Sequence, residues 1–124
     1  MKLLISLIII SLFLFSCTNK NQEKNTIVVH NYYWAKEGKI DEVYAHRMYA
    51  SEVRKELGLA VGRILKRTKA EGELPNVIWE CEYLSEEARN EDVRKLTESG
   101  AFDSITKKMG TLIRKFDRGI YRVN

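Results

Sequence analysis

Two cysteines, two histidines and one proline in 124 residues leave little material for several kinds of chemistry. No Cys-x-x-Cys pair, glycine-rich phosphate loop or nucleophile elbow occurs, so thiol redox chemistry, nucleotide hydrolysis and serine-type hydrolysis have no residues to carry them. Two thiols are too few for an all-cysteine zinc site. Excess charge of one sign is also scarce, with 21 basic residues against 17 acidic ones. Arg47, Arg54, Lys55, Arg63, Lys66 and Arg114 are interspersed with acids, which reads as a solvated surface rather than a nucleic-acid groove. No nucleic-acid partner is expected. Apolar runs are short throughout, except at the start of the chain.

That start is Met1-Lys2, an apolar stretch Leu3 to Phe15 broken only by Ser6 and Ser11, and then Leu14-Phe15-Ser16-Cys17. The stretch falls short of the roughly 20 apolar residues of a membrane span, and it does not end in the small-x-small site of an ordinary secretory signal. It resembles the signal peptide and lipobox of bacterial lipoproteins; the competing reading is an uncleaved N-terminal helix. The resemblance implies that residues 1–16 are a signal peptide cleaved before Cys17 and that Cys17 carries the acyl chains. It also implies a lipid anchor on the bacterial cell envelope. Thr18, where an aspartate would retain the protein at the inner membrane, implies the outer one. Residues 17–25 are polar and read as a tether. Residues 26–124 then form one domain of about 100 residues, enough for a single core. With Cys17 acylated, Cys81 has no partner for a disulfide and reads as a small buried hydrophobe.

Thr26 to Ala35 alternates β-branched and aromatic residues on both sides and predicts a strand buried on both faces. After a turn at Lys36-Glu37-Gly38, the spacing of Ile40, Val43, Tyr44, Arg47, Ala50 and Leu57 predicts a helix closed by Gly58. His46 falls at its polar edge and is expected to face solvent. Leu59 to Thr68 predicts a second strand, residues 69–75 a hairpin loop, and Val77 to Leu84 the returning strand. Ser85 before Glu86-Glu87 is a helix N-cap. The helix so begun is expected to pause at Ser99-Gly100 and to continue through Phe102, Ile105, Met109, Leu112, Ile113 and Phe116. Gly119 ends it, and Ile120 to Val123 predicts a last short strand. The order β-α-β-β-α-β is the α+β, ferredoxin-like arrangement, a four-stranded sheet with its helices on one face. The other face, carrying Val28, Tyr32 and Trp34, needs a cover that a chain of this length cannot supply. A second copy of the chain is the economical one, which makes a homodimer the expected assembly.

Three stretches carry a further likeness: the first strand running to Gly38, the segment Trp79-Glu80-Cys81-Glu82-Tyr83 leading into Ser85-Glu86-Glu87-Ala88, and the step Ser99-Gly100-Ala101-Phe102. Over residues 26–123 the chain resembles the dimeric α+β barrel superfamily, which includes NIPSNAP-like proteins and antibiotic-biosynthesis and haem-degrading monooxygenases. The resemblance implies two sheets packed face to face, with a separate pocket between sheet and helices in each protomer. In the haem-degrading members the positions matching Asn31, the neighbourhood of Tyr83 and Trp79, and Thr106 hold an asparagine, a tryptophan and a histidine. Thr106 cannot ligate iron, so haem degradation is not expected and no cofactor is assigned.

Asn31, Tyr33, Trp79, Tyr83 and Thr106 are the candidate pocket residues, with Cys81 beside them; aromatic walls with few polar groups suit a small apolar or aromatic ligand. The competing reading makes Tyr33 and Trp79 plain core, with the Asn31 amide satisfied by backbone. On the opposite face Glu80 and Glu82 call for a partner, and an Arg63 pairing with one of them across the dimer interface is the simplest account; a carboxylate metal site with His30 is the alternative. Two functions fit. One is a membrane-tethered dimer that binds a small ligand, and the other is a cofactor-independent monooxygenase of the same architecture.

Overall fold

A computed structural model describes residues 25–69 and 72–124. The signal-peptide stretch, Cys17 and the tether up to residue 24 lie outside the described residues. Along the chain come β1 (Ile27–Ala35), α1 (Ile40–Glu56), β2 (Arg63–Lys66), β3 (Val77–Tyr83), α2 (Glu86–Ser99), α3 (Phe102–Leu112) and β4 (Ile113–Arg122). The four strands form one antiparallel sheet in the order β2-β3-β1-β4. This is the ferredoxin-like order, with the second helical region split in two. Among the described residues no helix is long and apolar enough to cross a membrane.

Strand alternation puts Val29, Tyr33, Val77, Trp79, Cys81 and Tyr83 on the helix side, where they form one core with Val43 of α1 and Met109 and Leu112 of α3. The Ser85 hydroxyl accepts the Ala88 N–H at 3.0 Å and starts α2. Gly100, at φ 67°, ends it in the left-handed conformation, its N–H bonded to the Thr97 carbonyl.

Four expectations need correction. The second strand is only Arg63–Lys66. The segment before it is held by side chains instead: the Trp79 indole donates to the Val61 carbonyl at 2.8 Å, and Arg54 Nε to that of Ala60 at 2.6 Å. Ile113 and Phe116 belong to β4 and not to the last helix, because β1 offers an antiparallel register from Ala35 opposite Ile113 to Ile27 opposite Arg122, with one shift between Trp34 and Ala35. Gly119 therefore ends no helix but lies within β4, opposite His30. His46 is buried, its Nε2–H donating to the Ile105 carbonyl at 2.8 Å, which ties α1 to α3.

The open face of the sheet is wired across all four strands. With the proton on Nε2 of His30, Tyr121 donates to Tyr32 (2.5 Å), Tyr32 to His30 Nδ1 (3.1 Å), and His30 Nε2 to Glu80 (2.7 Å); Arg63 takes the other Glu80 oxygen at 2.6 Å. The Arg63 guanidinium, aided by His30, lowers the Glu80 pKa. Burial, together with the Tyr121 bond, pushes the Tyr32 phenol up to about 12. The Arg63 pairing expected across the interface is thus corrected: Arg63 reaches Glu80 within one chain, because β2 and β3 set the two residues opposite each other. Both oxygens of Glu80 are taken, and among the described residues no group of three acidic, histidine or cysteine side chains could hold a metal. Trp34 is already covered within the protomer, since Lys115 lies 4.4 Å from its ring centroid and its indole donates to the Glu73 carbonyl.

Candidate functional site

Between the helix side of the sheet and α1, α2 and α3 lies a cavity of about 450 Å³. Asn31, Tyr33, Trp79, Tyr83 and Thr106 all line it. Cys81, in contrast, is buried in the core and is not part of the wall; burial raises its thiol pKa. Thr106 is exposed, as are Phe116 and Arg118, so these residues form the rim, whereas Trp79, Tyr33 and Tyr83 stand deeper and are buried. Val29, Leu96, Phe102, Ile105 and Met109 complete the apolar wall.

The polar groups of this cavity come mostly from residues that read as surface in the sequence. On α1 the buried positions are Val43, His46, Arg47, Ala50, Ser51 and Arg54, a clean helical period that brings two arginines inward. Both guanidinium groups lie over the Trp79 ring, 4.8 Å from its centroid for Arg47 and 5.0 Å for Arg54. Arg54 is fully engaged: it forms an ion pair with buried Asp92 of α2 and donates to the Tyr83 hydroxyl at 3.2 Å. Tyr83 in turn donates to Asp92 at 3.0 Å, and the second Asp92 oxygen accepts the Ala60 N–H at 2.9 Å. Burial raises the Tyr83 phenol pKa, so it stays protonated and donating. Arg47 is different. It is 4% exposed, its Nε has no hydrogen-bond partner, and burial lowers its pKa from the ordinary value, with Arg54 adding repulsion.

The Asn31 amide oxygen is taken by a side chain and not by backbone, accepting from Arg118 Nε at 2.7 Å. Arg89, half-buried on α2, also lines the cavity. Neither histidine and no carboxylate belongs to the wall among the described residues. The wall therefore holds hydrogen-bond donors and aromatic faces but no evident general base. Sequence reasoning placed the strand residues and set Arg47 in the stripe of α1 without giving it a part in the cavity, and it missed Arg54 and Asp92. The signal was the spacing of 43, 47, 50 and 54, which outranks residue type when a helix face is buried.

No protein-family model matches the chain, and no curated protein does. Solved structures do. A NIPSNAP family protein from Agrobacterium tumefaciens superposes with a TM-score of 0.63 at 23% identity, over 81% of this chain and 87% of that one. The fold is shared. A dimeric ferredoxin-like protein from an uncultured marine organism matches with a TM-score of 0.57 at 11% identity, over 81% and 88% of the two chains. A protein from Bacteroides thetaiotaomicron, provisionally named an antibiotic biosynthesis monooxygenase, gives 0.52 at 19% identity, over 77% and 87%. At these identities the likeness is one of architecture: an α+β, ferredoxin-like chain similar to NIPSNAP and monooxygenase-like proteins.

Proposed function

We propose that this protein is a lipid-anchored bacterial envelope protein, homodimeric through the open sheet face, that holds a small apolar or aromatic ligand between sheet and helices. The observation that carries the ligand reading is the cavity itself. Its volume of about 450 Å³ falls in the roughly 300–1,000 Å³ range of small-molecule sites, and its apolar wall meets only a few fixed polar groups. The dimer is supported by the dimeric relatives of the same fold. The anchor rests on Leu14-Phe15-Ser16-Cys17, and two or more acyl chains hold a protein stably to a bilayer. The monooxygenase alternative draws on fold likeness alone, and the wall offers no histidine or carboxylate to take a substrate proton.

The ligand reading is tested with 2-naphthalenemethanol, a neutral aromatic probe, titrated calorimetrically against the full chain in phosphatidylcholine vesicles, with protein-free vesicles subtracted. Saturable binding is expected. It should weaken in Gly110→Trp, because Gly110 lines the cavity and a Cβ built there meets nothing within 4 Å, so an indole can be carried at the wall without a clash at its base. Binding that is absent in the wild type, or unchanged in the variant, rejects the site. For the anchor, radiolabelled palmitate should mark the wild type and not Cys17→Ala; equal labelling of both rejects it.

A further inference from the structure

Arg47 is a cation buried in the wall of a cavity whose lining, among the described residues, holds no carboxylate. Its residue exposure is 4%, its Nε is unpartnered, and among the described residues its guanidinium is in no ion pair. The one buried carboxylate among the described residues, Asp92, is already committed to Arg54, Tyr83 and the Ala60 N–H. The Arg47 guanidinium carbon lies over the Trp79 ring, 4.8 Å from its centroid, which offers no acceptor to its N–H donors, and Nε stays without one. Three more arginines line the same cavity, Arg54 deep, Arg89 half-buried and Arg118 at the rim, against no lining carboxylate. A buried guanidinium without a counter-ion is unfavourable in isolation and becomes favourable when a planar anion meets its donor edge.

We infer that the ligand is an amphipathic carboxylate, its apolar body against the wall of Val29, Tyr33, Phe102, Ile105 and Met109 and its carboxylate on the donor edge of Arg47. This deepens the ligand reading above and rests on it. Arg118, exposed and tied to Asn31 at 2.7 Å, gives an entering anion a first positive contact at the rim, and Arg89 adds another on α2. The wall's donors then match the ligand: cations for its head, aromatic and aliphatic surface for its body. A neutral apolar ligand of the same shape would fill the cavity and leave Arg47 as it stands, without a partner.

The test compares 2-naphthoate with 2-naphthalenemethanol on the full chain in phosphatidylcholine vesicles by calorimetry, with vesicle blanks. The acid is expected to bind the wild type about tenfold or more tightly than the alcohol, the gain of a charge-assisted bond over a neutral contact. Arg47→Met, close in volume, should erase that preference and keep the alcohol's affinity, while its thermal midpoint stays equal to or above that of the wild type because an unpaired buried cation has gone. Decanoate against decanol repeats the comparison with an alkyl body. Preference for either acid supports the proposal, and the larger preference identifies the body. Equal affinities for acid and alcohol in the wild type overturn it while leaving the cavity reading intact, provided the alcohol binds; a preference that survives Arg47→Met overturns the role given to Arg47. If neither probe binds the wild type, it is the cavity reading that fails. The wild-type comparison decides the ligand class even if the variant does not fold, and Arg47→Lys, which keeps the charge and loses the planar fork, then tests Arg47 by a reduced preference for the acid.

Discussion

At the scale of the single residue, charge type and charge location part company in α1. Arg47 and Arg54 read as surface because arginines among acids usually are, yet both occupy the face of the helix that packs on the sheet. The two then differ in what surrounds them. Arg54 belongs to a closed set with Asp92, Tyr83 and the Ala60 backbone, which joins α1, α2 and β3. Removing one partner of such a pair strands the other, and that is where the energy lies. Asp92→Ala should cost about 3–5 kcal/mol in chemical denaturation, whereas the double change with Arg54→Met should recover most of the loss because no buried charge remains. If Asp92→Ala unfolds at the wild-type denaturant midpoint, the pair is not a buried ion pair in solution. The strand half of the site was legible: period-two alternation put Asn31, Tyr33, Trp79 and Tyr83 on one face, and they do line one cavity. The helix half was not, since residue type was weighed above spacing and the partner on α2 is 38 positions away from Arg54.

At the scale of the element, the order of strands and helices followed from local patterns, and the boundaries followed wherever a local cap exists. Ser85 and Gly100 each act through atoms within three residues, so sequence alone locates them. The start of β4 has no such local mark. Ile105, Met109, Leu112, Ile113 and Phe116 continue one helical stripe, and only pairing with β1, far away in the chain, turns the backbone extended at Ile113. Gly119 tells the same story. Read as a helix terminator, it is instead a strand residue, and a Cβ there would come within 2.5 to 2.7 Å of the Tyr121 ring and hydroxyl, so the tyrosine lies in the space the glycine leaves. Gly119→Ala should therefore destabilise the fold by about 1–3 kcal/mol through overpacking, and by much less in a Tyr121→Ala background, where the obstructing ring is absent. Additive costs in the double-mutant cycle would mean that Tyr121 does not need that space.

At the scale of the whole molecule, the two faces of the sheet are built to opposite specifications. The helix side keeps an unneutralised cation beside an open cavity, while the open side satisfies its polar groups internally along Tyr121, Tyr32, His30, Glu80 and Arg63. The residues of that chain can be covered by a second sheet without being stranded, whereas Glu82 on the same face, exposed and in no ion pair among the described residues, would need a partner from the second copy. Leu65 on β2 and Tyr121 on β4 remain exposed at the two edges of that face at 38% and 49%, as expected of surfaces awaiting a cover. Trp34, the obvious residue to mutate from the sequence, is the wrong one, because it is 8% exposed within the protomer and bonded to the Glu73 carbonyl, so its loss would damage the fold as well as any interface. Leu65→Lys is the cleaner change: the side chain is exposed, it lies on an edge strand opposite Ile78, and it forms no part of the core. The proposed dimer predicts that the wild type sediments as twice the chain mass at micromolar concentration, and that Leu65→Lys shifts it to monomer while the far-ultraviolet circular dichroism stays unchanged. A wild type that sediments as a monomer would leave the open face uncovered, and the dimer would have to be abandoned.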